Sequence, residues 1–324
     1  MIDPLSTSGL VVVDKPAGMT SHDVVGRLRR IFGTKRVGHA GTLDPMATGV
    51  LVVGIERGTK FLAHMVASTK SYRATIRLGL ATTTDDKEGE VVFSADASTL
   101  SAITDADIAA EITNFTGNIM QRPASVSAIK INGKRAHQMV REGQEVEIPP
   151  RPVTIYNFDV LDISRSLPLE FIDIEVEVTC SSGTYIRSLA RDLGSALNVG
   201  GHLTALRRLS VGPFSLSDTI TLDDLTATPK LSLSLDESLT RCYPTLEITE
   251  SEATDLSMGK WLQPRGLTET HAAVAPNGQA IALIKEKGKR LSSILWRVRI
   301  RSPSYRCFFD AFRQPKLPLL HNRF

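Results

Sequence analysis

The chain has 324 residues, of which 42% are hydrophobic and 23% charged, and it carries a net charge of +3 at pH 7. This composition is typical of a globular protein of about two domains, and it excludes a disordered or fibrous chain. The mild net charge alone neither favours nor excludes a nucleic-acid partner.

Neither the first residues nor the cysteines of the chain indicate secretion. Residues 1–4 have no basic start and lead into no apolar signal core. The longest apolar runs, such as 50–53, have the length of a strand and are too short to span a bilayer. Cys180, Cys242 and Cys307 lie far apart without zinc-site spacing, which is typical of reduced thiols. We therefore expect a cytoplasmic protein with no membrane segment and no metal site.

Strands and helices alternate in the first part of the chain. The patterns predict a buried strand at 10–13, a helix from Thr20 to about Ile31, a buried strand at 50–55, a helix at 59–67, an alternating strand at 72–78 and a helix from Thr104 through Ile112. Thr20 with Asp23, and Thr104 with Asp107, have the capping-box spacing that starts a helix.

Residues 121–143 interrupt this pattern. They hold small residues and a turn signal at Asn132-Gly133, in a loop of a length that is usually functional or mobile. Beyond them we predict long strands at 153–163 and 169–179, a helix at 185–197 and a strand at 203–211. The fold class is therefore α+β, with a large, mixed, mostly antiparallel sheet flanked by helices.

A change to Ser, Thr, Leu and Pro near 226–235 indicates a domain boundary, which we place close to Leu239. A first domain then covers 1–238. A small β-rich domain covers 239–301, with turn signals at 276–278 and 287–288. Residues 302–324 have no clear periodicity and are interpreted as a tail.

Two segments concentrate basic residues. The first holds Arg27, Arg29, Arg30, Lys35 and Arg36, and the second holds Arg122, Lys130, Lys134, Arg135 and Arg141. Local clusters of this kind neutralise phosphates whatever the overall charge of the chain. Two solvated faces are the alternative interpretation.

The segment from Gly38 to Leu51 is the most informative part of the sequence. It places one histidine, one carboxylate, three glycines and one proline between two apolar runs. Pro45 restricts the backbone of Asp44 to an extended conformation. A carboxylate in a stiff, glycine-flanked loop is suited to contact a ligand, although a short Asp-Pro segment alone is typical of an ordinary turn.

Five motifs in this order resemble the TruB family of tRNA pseudouridine synthases. They are Asp14-Lys15-Pro16-Ala17-Gly18-Met19-Thr20-Ser21, the Asp44 segment Gly38–Leu51, Lys70-Ser71-Tyr72-Arg73-Ala74, Ser182-Gly183-Thr184-Tyr185-Ile186-Arg187 and Leu206-Arg207-Arg208-Leu209. The resemblance runs from about Gly9 to about Leu225, and the Asp44 motif is its most specific part.

The resemblance implies a role for each matching residue. Asp44 is the catalytic nucleophile, and Arg187 is the cation that keeps it ionised. Tyr72 stacks on the target base or reaches the ribose, and Leu206 closes the floor of the pocket. From the residues alone, Tyr72 could equally be a core tyrosine, and Arg187 a surface arginine. Whether Asp44 attacks C1′, adds to the base or acts through a glycal stays open.

Further implied roles concern RNA and the support of the loop. His39, which precedes Asp44 in what we expect to be the same loop, takes the place of the flipped base; a structural hydrogen bond is its alternative role. Lys15 and Pro16 buttress the catalytic loop. Residues 121–143 correspond to a thumb over the T arm of tRNA, with Lys130, Lys134, Arg135 and Arg141 on phosphates. Residues 239–301 correspond to a PUA-like RNA-binding domain.

The resemblance therefore implies an isomerase that converts the uridine at position 55 in the T loop of tRNA to pseudouridine. The reaction breaks one C–N bond and forms one C–C bond, so that it needs no cofactor. We expect a monomer without an obligatory protein partner. A non-catalytic RNA-binding or RNA-folding protein is the main alternative, and an RNA-guided enzyme of the same superfamily is disfavoured because the chain has its own thumb-like loop.

Overall fold

The computed structural model describes residues 7–65, 69–124, 130–131, 134–135 and 148–296. The chain divides into two compact units, the first ending at Leu233 and the second beginning at Ser234. Among the described residues, no helix combines the length and the apolar character needed to cross a bilayer.

The strands up to this boundary are β1 (Gly9–Lys15), β2 (Val37–Ala40), β3 (Thr48–Ile55), β4 (Lys70–Leu78), β5 (Leu80–Thr82), β6 (Val91–Ser94), β7 (Gly117–Gln121), β8 (Lys130–Ile131), β9 (Lys134–Arg135), β10 (Arg151–Arg165), β11 (Ile172–Cys180), β12 (Gly201–Val211), β13 (Phe214–Ser215) and β14 (Leu233–Ser234). The helices are α1 (Ser21–Ile31), α2 (Gly58–Met65), α3 (Ala97–Ala102), α4 (Asp105–Asn114), α5 (Ile186–Ala196) and α6 (Leu222–Ala227).

One large sheet organises the first unit. Its strand order is β14-β1-β3-β12-β4-β11-β10-β7, with β2 beside β3 and β13 beside β12. Strands β3 and β12 pair in parallel, whereas β1–β3, β2–β3, β4–β12, β4–β11, β10–β11 and β7–β10 are antiparallel pairs. The predicted α+β class with a mixed, mostly antiparallel sheet is therefore confirmed.

Hydrophobic patterning explains which strands lie at the centre of the sheet. In β1 and β3 nearly every residue is buried, as expected for strands covered on both faces. In β4 and β11 burial alternates, so that one face packs on the core and the other meets solvent. Tyr72 and Ala74 lie on the core face of β4.

The two capping boxes predicted at helix N-termini are present in the structure. Thr20 and Asp23 begin α1, and Thr104 and Asp107 begin α4, each with both reciprocal side-chain hydrogen bonds. Most other predicted elements occur with ends shifted by a few residues; β10, for example, extends from Arg151 to Arg165. Strands β8 and β9 pair antiparallel. The predicted turn at Asn132-Gly133 lies outside the described residues.

Strand β2 was not expected from the sequence. Val37–Ala40 pairs with the end of β3, and His39 lies opposite Val53. The prediction that His39 shares a loop with Asp44 is therefore wrong: His39 belongs to the sheet, and the loop begins after Ala40. A four-residue strand with a glycine and a histidine has too little apolar pattern to be recognised from the sequence. Its strand conformation depends on the backbone pairing with β3.

The second unit contains α7 (Leu235–Cys242), β15 (Thr245–Glu247), α8 (Glu250–Ser257), β16 (His271–Val274), β17 (Ala280–Lys287) and β18 (Arg290–Trp296). Its four strands form a sheet in the order β15-β16-β17-β18, which confirms a small β-rich domain. Positive φ angles at Gly278 and Gly288 accompany the two predicted turns. The predicted boundary at Leu239 falls inside α7, because a capping box of Ser234 and Glu237 starts this helix earlier.

Candidate active site

The loop between β2 and β3 presents Asp44. The backbone N–H of Ala47 donates to the Asp44 carbonyl at 3.1 Å and closes a turn with Pro45 at its second position, where proline is favoured. Ser21, at the start of α1, holds the preceding residue: its Oγ accepts from the Leu43 N–H at 2.8 Å and donates to the Leu43 carbonyl at 3.1 Å. Asp44 therefore sits on a backbone that is fixed on both sides.

Lys15, the last residue of β1, supports the same loop through hydrogen bonds to backbone carbonyls. Its ammonium is fully buried and donates to the carbonyls of Pro16 at 2.9 Å, Met19 at 2.5 Å and Pro45 at 3.3 Å. Pro16 itself is exposed and contributes its carbonyl. Burial lowers the pKa of Lys15 from 10.5 to about 8, although the nearby Asp44 carboxylate opposes this shift. This geometry matches the supporting role that the resemblance assigns to Lys15 and Pro16.

Arg187 forms a two-pronged ion pair with Asp44. Its Nε lies 3.0 Å from Asp44 Oδ2, and its Nη2 lies 3.3 Å from Asp44 Oδ1. The Arg187 side chain is only 6% exposed, whereas 35% of the Asp44 side chain remains open to solvent. Arg187 is the second residue of α5, so the predicted pair of Asp44 and Arg187 is brought together across a long stretch of sequence.

A second carboxylate shares Arg187. The Arg187 Nη1 donates to the Thr84 carbonyl at 2.9 Å and lies 3.3 Å from Asp86 Oδ2. Asp86 is 3% exposed, and its Oδ1 accepts from the Thr84 hydroxyl at 2.6 Å and from the Glu88 N–H at 3.0 Å. A cation at the start of a helix is unfavourable by itself, and the two carboxylates compensate for it.

The electrostatics of Asp44 combine four effects. Burial raises the pKa of Asp44 above its ordinary value, and the neighbouring Asp86 carboxylate raises it further. The Arg187 guanidinium and, more weakly, the Lys15 ammonium lower this pKa. Because the carboxylate has lost much of its hydration, it depends on Arg187 to stay ionised.

Tyr72 and Leu206 lie beside each other on the core face of the sheet. Tyr72 on β4 is opposite Arg208 on β12, and Leu206 is opposite Ala74. Burial raises the pKa of the Tyr72 phenol, which the positive charge of Arg208 partly opposes. Tyr72 is therefore a neutral phenol near neutral pH, 7% exposed, in the electrostatic field of both Arg208 and Asp44.

His39 is half-buried on β2. Burial, and then the charges of Arg208 and His22, lower the pKa of His39 below its ordinary value, so that the imidazole is neutral near neutral pH. Its Nδ1 is buried and has no hydrogen-bond partner among the described residues. The alternative role of His39 as a structural hydrogen-bonding residue therefore finds no support at this nitrogen.

Several residues around the site were not predicted as site residues from the sequence. Among them are Asp86 as the second partner of Arg187, Ser21 as the anchor of the loop, and the buried residues Lys70 and Arg208. Asp86 belongs to none of the five motifs, and Arg208 lies within one of them without an assigned role. Four residues are proposed to contact RNA. The structure describes only the backbone of Lys130, Lys134 and Arg135, and Arg141 lies outside the described residues.

The described residues contain no group of three or more His, Cys, Asp or Glu side chains placed to hold a metal ion. The polar groups around the site include two carboxylates, four buried cations and one phenol: Asp44, Asp86, Lys15, Lys70, Arg187, Arg208 and Tyr72. This set can supply a nucleophile with a matched counter-charge and a neutral hydrogen-bond donor.

The Lys15 geometry leads to a prediction. We expect Lys15→Met to lower turnover by about 10- to 100-fold, since a misplaced catalytic loop carries such a cost. Lys60→Met, which changes an exposed residue of α2, should leave turnover unchanged.

The stability of the wild type and that of Lys15→Met should also diverge with pH. Between about pH 8 and 10.5 the folded protein has released the Lys15 proton and the unfolded chain has not, so wild-type stability rises with pH relative to the variant.

Urea unfolding of wild type and Lys15→Met at several pH values measures this difference. A stability difference that stays constant across the range, or that moves against the wild type, would contradict the buried ammonium.

Comparisons with known proteins identify the family of the chain. Residues 29–186 match the family model described as TruB family pseudouridylate synthase (N terminal domain). Residues 187–246 match that of the tRNA pseudouridylate synthase B C-terminal domain, and residues 243–295 that of tRNA pseudouridine synthase II, C terminal.

Close relatives and solved structures extend the match over most of the chain. The tRNA pseudouridine synthase B of Corynebacterium efficiens is 69% identical over 294 residues, covering 91% of this chain and 97% of the relative. That of Rhodococcus jostii is 54% identical, covering 89% and 93%.

Among solved structures, a Cbf5-Nop10-Gar1 complex has a chain with a TM-score of 0.66 and 25% identity, covering 91% of this chain and 88% of that one. An H/ACA RNP bound to a substrate RNA containing 2′-deoxyuridine gives a TM-score of 0.66 at 24% identity, covering 92% and 86%, and shows the shared fold. Because these family models and relatives together cover most of its length, the chain belongs to the TruB family of pseudouridylate synthases.

Proposed function

We propose that this protein is a tRNA pseudouridine synthase that isomerises the uridine at position 55 in the T loop of tRNA. The observation that carries the proposal is the bidentate pair of Asp44 and Arg187, at 3.0 and 3.3 Å, at a partly open site. The relatives named tRNA pseudouridine synthase B support tRNA as the substrate.

In the proposed reaction the bond between ribose C1′ and uracil N1 breaks, the base turns, and a bond forms between C1′ and C5. The C5 proton leaves and N1 gains a proton, so that substrate and product are isomers and no oxidant or group carrier is consumed. Asp44 acts as the nucleophile in this scheme, a role that carboxylates perform at sugar carbons. Arg187 keeps it ionised in a site with little water.

The target uridine has to leave the stack of the T loop to reach Asp44. We propose that His39 takes its place in the stack and that Tyr72 and Leu206 hold the flipped base on the sheet face. The half-buried, neutral imidazole of His39 supports this role, because an aromatic ring with an open face can stack on a base. The same scheme assigns the 121–143 segment to the T arm, and the second unit to RNA as a PUA-like domain.

The direct test is to incubate the purified protein with an unmodified tRNA transcript and to map pseudouridine chemically. We expect one modified position, the T-loop uridine, and no modification of a transcript in which that uridine is replaced by cytidine. Modification at another position would refute the T-loop assignment. Tight binding of tRNA without any pseudouridine would support the RNA-binding protein instead.

The thumb assignment has its own test. Each basic residue that contacts a phosphate adds about 0.7 to 0.9 to the salt slope of log affinity. We expect the combined change of Lys130, Lys134 and Arg135 to alanine to weaken tRNA binding and flatten this slope, while turnover at saturating tRNA falls less because Asp44 is untouched. Binding titrations at several salt concentrations measure it, with the exposed pair Lys60 and Lys230 changed to alanine as control. An unchanged slope would identify the basic loop as a solvated face.

A further inference from the structure

Arg208 is a buried cation that the proposed reaction does not use. It is 1% exposed and ranks with Lys15 among the largest fully buried side chains of the described residues. No carboxylate lies within ion-pair distance of it in the part of the chain that the structure describes. Its hydrogen-bond acceptors are the Val50 carbonyl at 2.7 Å from Nε and the Gly41 carbonyl at 3.0 Å from Nη2.

A guanidinium without a carboxylate partner is costly to bury. Removing a charge from water is costly even when a carboxylate compensates it, and apolar residues of similar size often replace buried charges without loss. The contacts of Arg208 are all with neutral groups. A role in the active site is therefore a better explanation for the residue than its effect on the fold.

The two carbonyls that Arg208 binds lie on either side of Asp44. Gly41 begins the catalytic loop, and Val50 follows it in β3, so a single rigid fork fixes both ends of the segment. The backbone approach is close. At Gly49, where φ is +98°, a Cβ atom would lie 2.2 Å from the Arg208 carbonyl. At Gly41 a Cβ atom would lie 3.3 Å from Arg208 Nη1.

The same guanidinium faces Tyr72. The two residues lie opposite each other across β12 and β4, next to an irregularity in the register, and the positive charge of Arg208 acts on the Tyr72 phenol. A guanidinium has only donors. A hydrogen bond between the two side chains would therefore have the Tyr72 oxygen as its acceptor and leave the phenol hydrogen for another partner.

We propose that Arg208 is a positioning residue of the active site, which fixes both ends of the catalytic loop and directs the O–H of Tyr72 toward the bound nucleotide. This inference rests on the proposed function. It adds to that function a residue that acts through Gly41, Val50 and Tyr72 and does not itself contact the substrate.

The neighbouring Arg207 supplies a matched control. It lies on the opposite face of β12, with 39% of its side chain exposed, and forms a two-pronged pair with Asp14 at 3.0 and 2.8 Å. Arg207→Met and Arg208→Met therefore change the same residue type in the same strand, and only the second removes the contacts with the loop and the tyrosine.

The test measures pseudouridine formation on tRNA and, independently, the ¹³Cζ resonance of Tyr72 in protein labelled at its five tyrosines, assigned by Tyr72→Phe. We expect Arg208→Met to lower kcat by about tenfold or more with KM changed less than about threefold, as expected for lost positioning. Arg208→Lys, which keeps the charge but not the fork, should recover part of this loss. The Tyr72 resonance should move in both variants and stay in place in Arg207→Met.

Two results would overturn the inference: a kcat for Arg208→Met equal to that of Arg207→Met, or a Tyr72 resonance that is the same in all three variants. If Arg208→Met lacks a cooperative unfolding transition, Arg208→Lys decides, and wild-type kcat in that variant would overturn the proposal. If the wild type forms no pseudouridine on any tRNA, the proposed function fails. The resonance then still shows whether Arg208 orients Tyr72.

Discussion

Asp44→Asn should abolish pseudouridine formation and leave tRNA binding nearly unchanged. The amide keeps the size of the side chain and can still accept a hydrogen bond from Arg187, but it is a poor nucleophile. We expect turnover to fall by about 10⁴-fold, the order of loss seen when a single member of a catalytic group is removed. Single-turnover assays with excess enzyme measure the chemical step, and filter binding measures the affinity for tRNA.

Asp14→Asn is the matched control for this variant. Asp14 is also a carboxylate in a two-pronged arginine pair, with Arg207, but it does not belong to the catalytic loop. Its replacement should leave turnover close to that of the wild type. If Asp44→Asn retains turnover within about tenfold of the wild type, which corresponds to about 1.4 kcal/mol in the barrier, the assignment of Asp44 as nucleophile is wrong.

Arg187→Met should have the second largest effect, and pH should control it. In the wild type, burial raises the pKa of Asp44 and Arg187 opposes this shift. Without the guanidinium the pKa of Asp44 rises further, because desolvation and the Asp86 charge are then opposed only by the weaker effect of Lys15. Activity requires the ionised carboxylate, so the acid limb of the pH–rate profile should move to higher pH. Part of the lost activity should return as the pH is raised.

Asp86→Asn should move the same limb in the opposite direction. The Asp86 carboxylate raises the pKa of Asp44, so its removal lowers that pKa and extends activity to lower pH. Arg191→Met, in the next turn of α5 where Arg191 pairs with Asp85 at 3.1 Å, should leave the position of the limb unchanged. Profiles of kcat against pH for the wild type and the three variants measure these outcomes: a limb at higher pH in Arg187→Met, at lower pH in Asp86→Asn and at the wild-type position in Arg191→Met.

Stability has to be followed with these profiles. Removing one partner from a buried ion pair costs about 3 to 5 kcal/mol, because the remaining charge is left uncompensated. Arg187→Lys keeps a charge at the site and serves as the better-folded companion variant. If the acid limb of Arg187→Met and Arg187→Lys coincides with that of the wild type, Arg187 does not control the ionisation of Asp44.

The sequence by itself determined the elements whose signals are local. The capping boxes at Thr20 and Thr104 begin α1 and α4 because the cap and its partner lie three residues apart. Period-two alternation identified β4, since burial on one face leaves that pattern in the chain. The motif around Asp44 likewise identified the family, because its residues are contiguous.

The tertiary structure alone decided which polar groups meet. Arg187 and Asp86 are 101 residues apart, and Arg208 reaches Gly41 across 167 residues. Neither pair has a local pattern that could predict it. Strand β2 also depends on its partner β3, and with it the placement of His39 outside the loop. Buried charges have to find their partners wherever the fold brings them, so Asp86 and Arg208 became site residues only when the strands were assembled.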